Sequence, residues 1–253
     1  MQKTNKEFVE WKDMIEVNNL TKKYGEKEVL GIAELEIPKG QSFGLVGNNG
    51  AGKTTFFSLV LDLIRPSSGY VKIKGIQVNR SEEWKNFASA FLDDSFLIGY
   101  LTPEEYFYFI GELRGWHKPA VDNFLKGLEE FFNEEVLNQK KYIRDLSKGN
   151  QKKVGITSTL IGAPELIVLD EPFANLDPSS QIRLKDLLKE LTRTREVTVL
   201  ISSHDLCHVT EVTERIAVLE KGAIRKDLET NAETLKELDE FFRKDLRRPE
   251  ADS

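Results

Sequence analysis

The segment Gly47-Asn48-Asn49-Gly50-Ala51-Gly52-Lys53-Thr54 sets three glycines, a lysine and a hydroxyl at the spacing G-x-x-x-x-G-K-[ST]. Glycines let a backbone curl until successive N–H groups point inward, and such a nest binds anions. Lys53 is expected to reach the β- and γ-phosphates of a nucleoside triphosphate, with the Thr54 hydroxyl on Mg²⁺ and Thr55 in the same contact set. A second group closes the apolar run Leu166-Ile167-Val168-Leu169: the pair Asp170-Glu171. Asp170, at a strand end, is the natural carboxylate partner of Mg²⁺. Glu171 can act on an attacking water as a general base or as an orienting group. The chemistry these two groups could do together is binding and hydrolysis of a nucleoside triphosphate.

Such residues need rigid elements beneath them. Ser42 to Val46 is a short apolar strand running into the glycines, and the spacing of Phe56, Leu59, Val60 and Leu63 predicts a helix after them. Buried-strand texture recurs at Leu166 to Leu169, Val197 to Ser202 and Arg215 to Leu219, with helical segments such as Ser180 to Leu191 between. Shorter strands are expected at Met14 to Asn18, Ala33 to Pro38, Tyr70 to Lys74 and Phe87 to Leu92. Apolar strands alternating with helices predict an α/β sheet covered on both faces. From about 93 to 160 the texture turns helical: Pro103 to Leu113 is unusually aromatic and Asn123 to Phe132 is amphipathic. Within the first of these, the spacing puts Tyr106, Phe109, Ile110 and Leu113 inward and Phe107 and Tyr108 outward. The expected organisation is one domain over 14–230, with the helical part inserted at about 93–160, and a charged tail over 231–253. Asn231 is expected to cap a tail helix whose apolar face carries Leu235, Leu238, Phe242 and Leu246.

Composition narrows the class. Among 253 residues there is one cysteine, Cys207, which excludes an internal disulfide framework and fits a reducing compartment. The net charge of −6 gives no general footprint for nucleic acid, and no apolar run approaches the roughly 20 residues a membrane span needs. Met1 to Lys12 has no apolar core and does not read as a secretory signal. His208 and Cys207 lie near His204, but without paired ligand spacing they read as part of the following helix.

The order of motifs resembles the ATP-binding cassette (ABC) ATPases over most of the chain. Tyr24, in Leu-Thr-Lys-Lys-Tyr-Gly, resembles the family's adenine-stacking aromatic. Leu146-Ser147-Lys148-Gly149-Asn150 resembles its LSGGQ signature, and Asn175-Leu176-Asp177 its D-loop. His204, in Ile-Ser-Ser-His-Asp, resembles the switch histidine that contacts the γ-phosphate. The fold implied is a RecA-like P-loop NTPase core with a helical subdomain and an N-terminal antiparallel β-subdomain. The activity implied is ATP hydrolysis with Mg²⁺, in a head-to-tail homodimer where ATP sits between the P-loop of one copy and Ser147 and Gly149 of the other. Such a subunit powers a separate integral-membrane permease from the cytoplasmic face of the cell membrane. The other readings are a non-transport ABC ATPase acting on a soluble macromolecular partner, and a regulatory nucleotide-binding module without turnover. One cassette with a short insertion favours transport, and Glu171 and His204 favour turnover.

Two segments depart from the family's pattern. Counting back from Leu101-Thr102-Pro103, the position of the family's Gln falls on Asp93, with Asp94 beside it. An acidic side chain offers acceptors only, so Asp93 could approach Mg²⁺ or its water. In the signature, Lys148 stands for a Gly and Asn150 for the Gln. Ser147 can still cap the helix that begins there, leaving N–H groups to face an anion, while Lys148 is expected to reach a phosphate or to point to solvent. These departures, with no large regulatory segment after the core, resemble exporters of the ABC-2 type. The aromatics Phe91, Phe96, Tyr100 and Tyr106 to Phe109 are candidates for the groove that receives a permease helix.

Overall fold

The computed structural model describes residues 12–194 and 196–245. Two sheets form its frame. The first is antiparallel, in the order β2-β1-β4-β5, from β1 (Asp13–Tyr24), β2 (Lys27–Pro38), β4 (Ser68–Ile73) and the two-residue β5 (Ile76–Gln77). The second runs β10-β9-β3-β8-β7-β6, from β3 (Ser42–Val46), β6 (Ala88–Phe91), β7 (Leu166–Asp170), β8 (Thr198–Ser203), β9 (Arg215–Glu220) and β10 (Ala223–Glu229). Its strands pair in parallel except for β10, which runs antiparallel to β9. β5 and β10 carry no buried apolar run, which is why their sequences gave no strand signal.

Every residue of β3, β7 and β8 is buried, as expected for strands covered on both faces. The two-residue period of a strand then divides the core in two. Leu166, Val168 and Leu200 face the antiparallel sheet and α1 (Lys53–Val60). Ile167, Leu169, Val199 and Ile201 face a second core with the helical part and α6 (Pro178–Arg193). A third, smaller core joins Val46, Ile216 and Val218 to α7 (Leu206–Val212) and α8 (Thr234–Asp245).

The helical part holds α2 (Pro103–Leu113), α3 (Lys118–Lys126), α4 (Glu129–Phe132) and α5 (Lys148–Leu160). α2 starts at a capping box, Thr102 with Glu105, and has Pro103 in its first turn. α5 is buried along its whole length from Gln151 to Leu160 and touches β6 and β7, so the helical part and the sheet share it. The amphipathic stretch expected as one helix over Asn123 to Phe132 is two. α3 starts near Pro119 and stops at Gly127, and α4 is a single turn.

Three expectations about faces are corrected by the packing. In α2, Phe107 is fully buried against Tyr106 and Phe132, while Phe109 and Leu113 are exposed. Tyr106 is buried and Ile110 half-buried as expected, but the row Pro103, Phe107 and Gly111, spaced i, i+4, is inward as well, because the partners α3 and α4 lie on that side. Phe91 is also core, whereas Phe96 and Tyr100 are exposed. In α8 the inner face is Thr234, Leu238, Phe241 and Phe242, with Leu235 exposed. Thr234 takes the first-turn position inside because its hydroxyl is tied to the Asn231 N–H at 2.9 Å and the Glu229 carbonyl at 3.3 Å. Asn231 does not cap the helix directly; its side chain accepts from the Glu233 N–H at 2.8 Å in a turn leading into it. Leu246 and the rest of the tail lie outside the described residues.

Phe107→Ala should therefore cost about 3–5 kcal/mol of stability in a denaturant titration, the range for a deleted core aromatic. An outward Phe107 would cost almost nothing.

Candidate functional site

Parallel pairing places the carboxyl ends of β3, β8 and β7 side by side: Val46 is opposite Ser203, and Ser202 is opposite both Leu45 and Asp170. Ligands in open α/β sheets bind outside such ends. The glycine-rich loop leaves β3 and enters α1 at Gly52, whose φ of +110° suits glycine alone. Gly52 offers no capping side chain, so the first N–H groups of α1 are left to an anion.

A cavity of about 300 Å³ opens here, lined by Tyr24, Val29, Asn49, Gly50, Ala51, Gly52, Lys53, Thr54, Thr55, Asp170 and Glu171. Gly47 and Asn48, also expected in the contact set, do not line it, and the Gly47 carbonyl accepts from Lys53 Nζ at 2.7 Å. The antiparallel sheet brings Tyr24 to the mouth, half exposed, with Lys22 Nζ 4.8 Å from its ring centre. The Thr54 hydroxyl donates to Asp170 Oδ2 at 2.5 Å, and the Ser202 hydroxyl donates to the other oxygen, Oδ1.

Glu171 stands next to this pair in a left-handed backbone, φ +48°. Its Oε1 is 3.3 Å from Lys53 Nζ and its Oε2 is 2.9 Å from His204 Nδ1. His204 thus enters the site through Glu171 rather than through the cavity wall. Lys152, reaching across from α5, donates to the Glu171 carbonyl at 2.7 Å. Burial pushes the Lys152 ammonium down against the upward pull of Asp94, Glu171, Asp170 and Asp93. Sequence reasoning singled out neither Ser202 nor Lys152. A serine two residues before His204, on a strand end, was the available signal for the first; nothing local marks the second.

Ser147 and Gly149 lie elsewhere. Ser147 is exposed and its hydroxyl accepts from the Asn150 N–H at 3.2 Å, capping α5. A Cβ on Gly149 would stand 2.6 Å from the Asn175 carbonyl oxygen, so this close approach of the two backbones requires glycine. Asp177, two residues on, caps α6. The hydroxyls of Ser179 and Ser180, with the Ser180 N–H, hold its carboxyl well below the usual range.

The two departures meet each other rather than the phosphate loop. Asp93 Oδ1 accepts from the Ser95 N–H at 2.8 Å, and Ser95 holds its carboxyl below the usual range. Asp93 is absent from the cavity beside Lys53; it lines a separate one of about 340 Å³ with Asp94, Lys148 and Gln151. Lys148 Nζ is 3.2 Å from Asp94 Oδ2 and from Gln151 Oε1. It reaches no phosphate site of its own chain; its side chain is exposed to solvent, as one of the two expectations had it, and is paired there with Asp94. His208 and Cys207 both lie in α7, with the His208 ring 4.8 Å from that of Phe173. Among the described residues, no group of three or more His, Cys, Asp or Glu could hold a metal, and no helix is long and apolar enough to cross a membrane.

The sequence pattern of the ABC transporter family matches residues 30–174. An uncharacterized ABC transporter ATP-binding protein of Methanocaldococcus jannaschii is 34% identical, over 83% of this chain and 76% of its own. The bacitracin transport ATP-binding protein BcrA of Enterococcus faecalis is 32% identical, over 85% and 69%. The dimeric structure of the ATP-binding cassette MJ0796, in a post-hydrolysis state bound to ADP and Pi, superposes with a TM-score of 0.77 at 26% identity. That match covers 87% of this chain and all of the other.

Lys53→Ala should weaken ATP binding roughly tenfold or more, since a charge-assisted contact contributes about 1.5–3 kcal/mol. Titration with a fluorescent nucleotide would measure it.

Proposed function

The chain belongs to the ABC transporter family as its ATP-binding, ATP-hydrolysing subunit, and we propose that it works as a head-to-tail pair of identical copies. The observation that carries this reading is the division of the site. Lys53, Thr54, Asp170, Glu171 and His204 converge at one end of the sheet. The capped start of α5, with Ser147 exposed, takes no part in lining that cavity. One chain therefore has two anion-binding helix starts and one hydrolytic set. In the pair, Ser147 and Gly149 of one copy close over the nucleotide held by the other.

The Thr54 hydroxyl and the Asp170 carboxylate, facing each other at 2.5 Å, are the hard oxygen donors that suit Mg²⁺. Bound there with ATP, the ion would neutralise charge on the phosphates. The Gly50-to-Thr55 backbone and Lys53 bind the phosphates, and Tyr24 offers its ring to the base. Glu171 orients the attacking water and takes its proton. His204 fixes the Glu171 carboxylate from one side, and Lys53 from the other. Tight pairing on ATP and release after hydrolysis give the chain a cycle of closing and opening.

That cycle is passed to a separate integral-membrane permease, which places the chain at the cytoplasmic face of the membrane. The surface that supports this is the second cavity, beside Asp93, Lys148 and Gln151, with Phe96 and Tyr100 exposed nearby. Likeness to the bacitracin transport proteins, with Asp93 and Lys148, supports export as the direction.

Glu171→Gln should keep ATP binding and lose roughly 10²- to 10⁴-fold in phosphate release, the size of a general-base contribution; near-normal turnover removes Glu171 from that role. Light scattering should show Glu171→Gln as a dimer with ATP and a monomer without it. Ser147→Arg should abolish that dimer while leaving ATP binding by the single chain intact. A dimer that survives Ser147→Arg rules out the head-to-tail arrangement.

A further inference from the structure

Glu171 is clamped at both of its main-chain polar groups. Its N–H points at Ser202, 3.0 Å from the hydroxyl and 3.2 Å from the carbonyl. Its carbonyl accepts from Lys152 Nζ at 2.7 Å. Between these two contacts lies a φ of +48°, a region disfavoured for any residue with a Cβ and kept only where the surroundings over-determine it. The direction of the Glu171 side chain is set by that backbone, and so are its contacts with Lys53 and His204.

Lys152 is an expensive residue to place there. It is buried in the second turn of α5, where an aliphatic side chain would fill the space without desolvating a charge. Its position one helical turn after Lys148 also connects two regions. Lys148 is ion-paired to Asp94 in the loop after β6, and Lys152 holds the strand end after β7.

We propose that Lys152 is a positioning residue for ATP hydrolysis: by holding the Glu171 carbonyl it fixes the left-handed backbone from which the Glu171 carboxylate meets the attacking water. The inference rests on the reading of Glu171 as the water-activating group. Lys152 does not itself line the phosphate cavity and meets it only through the Glu171 carbonyl, so its loss is expected to act on turnover and not on nucleotide binding.

Steady-state kinetics on the full chain test it. Lys152→Met should lower kcat by roughly 10- to 100-fold, as a displacement of about 1 Å at a reacting group does, with KM for ATP within about twofold. Lys152→Arg, which keeps charge and reach, should restore kcat to within about threefold of the native chain. If Lys152→Met does not fold, Lys152→Leu takes its place, having no donor for the carbonyl, with the same split expected between kcat and KM. In a Glu171→Gln background, Lys152→Met should add less than about threefold in single-turnover hydrolysis, because a residue acting through Glu171 has nothing left to position. An equal loss in both backgrounds, or a kcat that Lys152→Met leaves unchanged beside an inactive Glu171→Gln, overturns the proposal alone. Normal turnover by Glu171→Gln itself overturns the reading beneath it.

Discussion

The constraint on which this molecule depends is that β3, β8 and β7 are parallel, adjacent and buried on both faces. Parallel strands all end on one side, so three segments far apart in sequence deliver their next residues to one place. β3 delivers the phosphate loop, β7 delivers Asp170 and Glu171, and β8 delivers Ser202 and His204. The short contact between Thr54 and Asp170 follows from that register. Two-sided burial is what keeps the register fixed, because a one-residue slip would exchange the two core faces along β7 and β8.

Charge is concentrated at this end, and each group is partnered. A buried ionised side chain is tolerable only when paired or hydrogen-bonded. Lys53 is shared between the Gly47 carbonyl and Glu171, Asp170 between two hydroxyls, and Lys152 is spent on a carbonyl. Partners of this kind hold the donors and acceptors in fixed directions before any substrate arrives. Fixed dipoles need no reorganisation during the reaction, which is where electrostatic catalysis gains most.

α5 ties the catalytic end to the outer surface. Its first turn carries the Ser147 cap and the Lys148–Asp94 pair, its second carries Lys152, and the rest is buried between sheet and helices. From Gln151 onward the helix is packed on every side, so its two ends are held at a fixed separation. The loop that bears Asp94 and the Glu171 backbone are thus both tied to the first two turns of one helix. Lys148, one of the three residues that depart from the family's pattern, makes the first of these ties, and Asp93, another, stands next to its partner Asp94.

Much of this was legible in the chain itself. The phosphate loop, the acidic strand end, the capped signature and the buried strands are local patterns whose chemistry follows from residue type and short spacing. The bounds of β3 and α2 were readable to the residue, because abrupt punctuation by Gly, Thr and Pro marks them. What the sequence could not show is which way an aromatic helix turns. Phe107 is core and Phe109 is surface because α3 and α4 cover one side of α2, and their position is a tertiary fact. The partners of Lys148 and Lys152 were hidden for the same reason. Asp94 lies 54 residues from Lys148, and the Glu171 carbonyl lies 19 residues from Lys152. The sequence by itself determined which groups could bind and split a nucleotide. Only the tertiary structure decided which charges hold one another, because contact between distant residues is set by packing and not by spacing.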